Sequence, residues 1–230
     1  QPGDTATTGI WGRMDPEATA AQPGDDVSNP GTICWVTNGV AGASVGANDV
    51  DGGFTTLLSP ALALAGQPDA TISYWRWYSN NAGSAPNADT FRVEISANGS
   101  TNWVALETVG PVAESSGGWI FHAARVGDFV TPTNTTRVRF IADDSGTGSV
   151  VEAAIDEFRV VQPVCVPPQP CDPDFNQDGN VDQDDVNYLI NVIGGGANPS
   201  GADPDFNQDG NVDQDDVSAL IDVVAGGDCP

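Results

Sequence analysis

Two kinds of hydrophobic spacing divide this chain. Through residues 1–162 the apolar residues come in short clusters, often at every second position, between runs of Gly, Asn, Ser and Thr. Residues 91–96 set Phe91, Val93 and Ile95 against Arg92, Glu94 and Ser96, the period of a half-buried strand. Residues 71–79 predict a longer strand, and 103–108, 119–125, 137–142 and 151–161 predict four more. Turn signals separate them at Ala97-Asn98-Gly99-Ser100, Ser115–Gly118 and Ser145–Gly148. Regular strand spacing with Gly-rich turns predicts an antiparallel two-sheet sandwich.

Past residue 172 the period changes to helical. Val186, Leu189, Ile190 and Ile193 lie at i, i+3, i+4 and i+7, and Val217, Leu220, Ile221 and Val224 repeat that spacing. Each set predicts one apolar helix stripe, ended by Gly194-Gly195-Gly196 or Gly226-Gly227. Neither helix can bury its stripe alone, so the two are expected to pack together. Between the two regions, residues 163–172 hold four prolines, which favours an extended spacer. The expected organisation is a sandwich over 1–162, a Pro-rich linker over 163–172 and a small helical module over 173–230.

Composition narrows the function. The 230 residues carry 32 acidic and 7 basic side chains, a net charge of −25. Every base is Arg and lies before residue 160, whereas residues 163–230 hold 14 acids and no base. Such a chain repels phosphate, so nucleic-acid binding is excluded. Without Lys there is no Schiff-base or P-loop lysine, and His122 is the only histidine. No GxSxG motif accompanies it, so it reads as structural and no catalytic residue is assigned. No apolar run approaches the ~20 residues of a membrane span. The even cysteine count (Cys34, Cys165, Cys171, Cys229), with no CxxC pair, fits disulfides in an oxidising compartment. Four cysteines allow three connectivities. The chain opens on Gln1 rather than Met, as either a processed or a trimmed N-terminus would.

The strongest chemistry is a repeat. PDFNQDGNVDQDDV fills residues 173–186 and again 204–217, offset by 31. Asp174, Asn176, Asp178, Asn180, Asp182 and Asp185 take positions 1, 3, 5, 7, 9 and 12 of a loop, with Gly179 at position 6. Asp205, Asn207, Asp209, Asn211, Asp213 and Asp216 repeat them around Gly210. Calcium takes six to eight hard oxygens, and this spacing wraps side chains and the carbonyl of position 7 around one ion. Two Ca2+ ions would offset four of the charges and order both loops.

Two EF-hand-type loops, each followed by a single helix, with Asp rather than Glu at position 12, resemble a dockerin module over roughly residues 171–229. That resemblance implies a calcium-folded unit with near two-fold internal symmetry that docks onto a cohesin-like partner. It centres recognition on positions 10 and 11, here Gln183, Asp184, Gln214 and Asp215. It also brings the two ends together, which implies a Cys171–Cys229 disulfide and leaves Cys34 to pair with Cys165.

The order Gly46–Pro60, then Ile72–Tyr78, Phe91–Ser96 and Ala154–Val160, resembles jelly-roll modules of the MAM and concanavalin-like kind, found in secreted bacterial proteins. It implies a third, structural calcium, whose matching ligands are Asp26, Asp49, Asp51 and Asp156. On the 71–79 strand the Trp75/Trp77 face is assigned to the core. The Tyr74–Arg76–Tyr78 face, with Arg92, Glu94 and Arg139 beside it, is left as the candidate ligand face; its simpler reading is an ion network across the sheet.

The expected protein is secreted or cell-surface, bacterial and non-enzymatic. It assembles in calcium through its dockerin-like module, onto a cohesin-like protein or another copy of itself. The alternative is a carbohydrate-binding module recruited to a scaffold, with polysaccharide as its ligand.

Overall fold

The structure is a computed structural model that describes residues 1–146, 148–162 and 171–230. The chain forms two compact units, Gln1–Val164 and Cys165–Pro230.

The first unit is a jelly-roll sandwich. One sheet has the order β1 (Trp11–Met14), β2 (Cys34–Thr37), β9 (Ser149–Val161), β4 (Thr71–Gly83), β7 (Ile120–Arg125). The other has the order β3 (Gly53–Leu58), β8 (Arg137–Asp144), β5 (Phe91–Ser96), β6 (Val104–Val109). All pairings are antiparallel. The six strands read from alternation are present; β1 and β2, four residues each, have too few positions to show a period. Between the sheets, Val93, Ile95, Val138, Phe140 and Ala142 meet Ile72, Tyr74, Tyr78, Val151 and Ile155 in one buried cluster. Burying a large apolar side chain there contributes about 1.5–3 kcal/mol.

The central strand β4 turns the opposite way from the expectation. Tyr74, Arg76 and Tyr78 face the core, and Trp75 and Trp77 lie half-buried on the outer side. Alternation defines two faces without saying which is inner. Arg76 tolerates burial, at 3% exposure, because Glu107 accepts from its Nε at 3.0 Å and Glu114 also pairs with it. The Trp77 ring needs an acceptor for its indole N–H and finds one outside, at the carbonyl of Ala21, 2.7 Å away. Residues 15–33 form a cover over this outer face. Beneath it Trp77 and Trp119 pack with Met14, Cys34, Val36 and Ala154 in a second small cluster. Arg92, Glu94 and Arg139 are not neighbours of a Tyr face: they sit on β5 and β8 of the other sheet, where Arg92 pairs with Asp143 and Arg139 with Glu94.

In the second unit, helices α1 (Gln183–Ile193) and α2 (Gln214–Val224) each follow one acidic loop. Val186, Leu189 and Leu220 are buried with Phe175 and Phe206, and Ile193, Val217 and Val224 pack against them. Ile190 and Ile221 do not join this core, with 51% and 47% of their surface exposed. Two short helices offer only one covered seam, so a stripe of three residues fills it and the fourth faces out. Cys171 and Cys229 are bonded, with their Cα atoms 5.8 Å apart. The other expected disulfide involves Cys165, which lies outside the described residues, as do linker residues 163–170.

Candidate metal centres and ligand surfaces

Both acidic loops close on themselves through the same hydrogen bonds. In the first, Asp174 accepts from the backbone N–H groups of Asp178 (3.0 Å) and Gly179 (2.9 Å). Asn176 Oδ1 accepts from the Asp178 N–H at 2.8 Å, and Asp178 Oδ1 from the Asn180 N–H at 2.9 Å. Asp185 accepts from Asn176 N–H at 3.0 Å and Asp182 N–H at 2.9 Å. The second loop repeats the pattern: Asp205 with Asp209 and Gly210, Asp209 with Asn211, Asp216 with Asn207 and Asp213. Gly179 and Gly210 stand at φ of 91° and 89°, a turn that a residue with a side chain would strain to make.

Asp182 and Asp213 cap the helices, accepting from the N–H groups of Asp184 and Asp215 at 2.8 and 2.9 Å. Asp185 and Asp216 return the capping box, so loop position 12 is also the helix's N3 residue. The amides of Asn180 and Asn211 hold the Asp178 and Asp209 carboxyls below the usual carboxylate range. Asp185 and Asp216 are fully buried, in a segment with no base to pair with them. A hard cation fits that oxygen donor set. The side chains of each loop turn toward backbone amides, and three carboxylates of one loop do not come within 4.8 Å of one another. Gln183, Asp184, Gln214 and Asp215 lie exposed on the first turns of the helices.

Among the described residues, the one group of three acidic side chains that meets within 4.8 Å is Asp49, Asp51 and Asp144, in the sandwich. Asp49 and Asp144 are buried and Asp51 is exposed. Burial first, then Asp51, pushes the Asp49 carboxyl up to about 6. Burial first, then Asp89, pushes Asp144 up to about 7. Asp26 and Asp156, expected beside Asp49 and Asp51, are not part of this cluster. They pin the covering segment instead: Asp156 accepts from the N–H groups of Val27 and Ser28 at 3.1 Å, and Asp26 from that of Ile33 at 3.1 Å. Asp144 takes their place. Its signal was present in the sequence, since Val138, Phe140, Ala142 and Asp144 continue one period-two face.

His122 stacks on Tyr74 with ring centroids 5.4 Å apart, and its Nδ1 lies 3.4 Å from Glu107 Oε2. Glu107 also accepts from the Tyr74 hydroxyl at 2.9 Å and from Arg76, so His122 closes a core polar network.

No protein-family model and no curated protein matches the chain. Solved structures similar to it include the K2 cleaved adhesin domain of Lys-gingipain, at 12% identity and a TM-score of 0.39, covering 70% of this chain and 84% of that one. A structure titled "CBM4 structure and function" has 12% identity and a TM-score of 0.34, covering 70% and 95%. A carbohydrate-binding module specific for non-crystalline cellulose, CBM28, has 11% identity and a TM-score of 0.34, covering 66% and 88%. No helix among the described residues is long and apolar enough to cross a membrane.

Proposed function

We propose that the second unit is a calcium-folded, dockerin-like docking module that attaches the jelly roll to an extracellular partner. The observation that carries this reading is the buried pair Asp185 and Asp216, each the last residue of an identical acidic loop and the capping residue of its helix. A buried carboxylate without a base is costly, and a divalent cation at each loop removes that cost. The oxygens of positions 1, 3, 5 and 12, with the carbonyl of position 7, hold the ion. Gln183, Asp184, Gln214 and Asp215 then lie on the docking face, for a cohesin-like protein or a second copy of the chain. The Asp49–Asp51–Asp144 cluster holds a third calcium that ties the loop before β3 to the end of β8. The reading is of binding without catalysis, in an oxidising extracellular setting that suits the Cys171–Cys229 disulfide.

Calorimetric titration with calcium tests it, with far-UV circular dichroism as the second readout. Two ions in the C-terminal unit and helix loss in chelator support the reading; full helix content in chelator refutes it. Light scattering in millimolar calcium then separates self-docking, which gives large particles, from docking onto another protein.

A second reading concerns the sandwich itself as a saccharide-binding cargo. It is favoured by aromatic side chains left at the surface of the five-stranded sheet, Trp35 and the Trp75–Phe121 pair, whose rings are 5.5 Å apart.

A further inference from the structure

We infer that the groove beside the second half of β9 binds an uncharged saccharide, with Trp35 as its stacking platform. The inference rests on the saccharide reading of the sandwich and gives it a site.

The groove exists because β2 is short. It pairs with β9 only at Trp35–Ile155 and Val36–Ala154. Before Cys34 the chain leaves the sheet, and Val27 and Ser28 bond the Asp156 side chain rather than the β9 backbone. The β2 side of residues 156–159 is therefore left without a strand partner. A cavity of about 400 Å³ lies there, lined by Arg13, Ile33, Trp35, Asp156, Glu157 and Arg159. That volume is within the range of small-ligand sites.

Two of the lining side chains are uncommitted. Trp11, Trp77 and Trp119 each donate their indole N–H to a backbone carbonyl. Among the described residues Trp35 makes no such bond, and it is 41% exposed. Arg76, Arg92, Arg125, Arg139 and Arg159 are ion-paired, and Arg137 donates to the Ser59 carbonyl. Among the described residues Arg13 alone of the seven arginines has neither kind of partner. In a chain with 32 acids, an arginine left unpaired beside an open indole marks a surface shaped for something else.

The mixture of groups selects the ligand. A pyranose ring offers a flat C–H face and a rim of hydroxyls, each both donor and acceptor. The groove offers a flat aromatic ring, two guanidinium groups as donors, and two carboxylates as acceptors. Asp156 and Glu157, in a chain of net charge −25, disfavour polyanionic sugars.

The test is calorimetry of the full chain in millimolar calcium with cellohexaose, xylohexaose, mannohexaose and chitohexaose. Hexagalacturonate is the charged counterpart. The expected result is binding of at least one neutral hexasaccharide, more tightly than hexagalacturonate. Trp35→Ala should weaken it by about tenfold or more, and Arg13→Gln by a smaller factor. Trp75→Ala, on the outer face, should bind as the wild type does. Circular dichroism confirms that each variant is folded. If Trp75→Ala abolishes binding while Trp35→Ala leaves it intact, the site is wrong and the saccharide reading survives. If none of the neutral sugars binds, both fall; tighter binding of hexagalacturonate overturns the uncharged ligand.

Discussion

Phe175 and Phe206, 31 positions apart and each the second residue of its acidic loop, meet with ring centroids 6.4 Å apart. They join the two loops through the small core of the C-terminal unit, beside Leu189 and Leu220. Ordering one loop therefore positions the aromatic that supports the other. Phe206→Ala is expected to cost this unit about 3–5 kcal/mol and to weaken calcium binding at both loops. All six Trp residues lie in the sandwich. Tryptophan fluorescence should then show an unchanged sandwich transition, while the helical signal melts early.

Asp185 accepts two backbone N–H groups, fills loop position 12 and completes the cap of α1. Asp185→Asn keeps the size and removes the charge. The expected outcome is loss of one calcium from the C-terminal stoichiometry and reduced helix content; an unchanged ion count in calorimetry would contradict the assignment. Asp216→Asn should give the mirror result, and the double variant should leave the unit unfolded in calcium.

Three buried acids make the sandwich sensitive to pH in chelator. Asp49 and Asp144 titrate near 6 and 7 when folded. Glu152 is pushed up to about 8, first by burial, with Thr37's hydrogen bond opposing and Asp49 adding. In the unfolded chain these groups lose their protons near 4. Between about 4 and 8 the folded state thus holds more protons than the unfolded one, and stability falls as pH rises. The urea midpoint by tryptophan fluorescence should be higher at pH 5 than at pH 8. Calcium added at pH 8 should recover part of the loss if Asp49, Asp51 and Asp144 bind it.

Arg76 is buried against Glu107 and Glu114. Arg76→Met leaves Glu107 beside Tyr74 and His122 without its cation. The expected cost is about 3–5 kcal/mol, read in the same fluorescence transition. Paired with Glu107→Gln, much of that cost should return, since the stranded charge is then removed.

The Cys171–Cys229 bond closes a separation of 58 residues. By chain entropy it contributes about 4 kcal/mol to the C-terminal unit. Replacing both cysteines with Ser should lower that unit's urea midpoint in calcium and leave the sandwich unchanged.

The repeat was the most legible part of the sequence, because loop bounds, turn glycine and helix start are encoded locally. Strands such as β5 were legible for the same reason: six residues carry a full alternation. What local pattern cannot carry is the choice of side. Trp75 and Trp77 alternate with Tyr74, Arg76 and Tyr78 equally well in either orientation. The deciding partners, Glu107 and the Ala21 carbonyl, are 31 and 56 residues away from Arg76 and Trp77. Ile190 and Ile221 match a helix stripe, but stripe width depends on how many neighbours the helix has. Asp144 was reachable by one more step of the β8 alternation, whereas Asp26 lies in a covering segment with no periodic signature and Asp156 bonds to that segment.

The clasp between Cys171 and Cys229 also changes how the C-terminal unit carries a mechanical load. A pull arriving along the chain at Cys171 reaches Cys229 through the sulfur atoms at the same moment. If a partner gripped the helices, as proposed, its tension would divide between two routes, one into the first loop and one back through the end of α2. The two helices would then be loaded in parallel rather than in series. Even if the fold between the cysteines gives way, the covalent ring keeps its ends together, and the tether gains no slack between them.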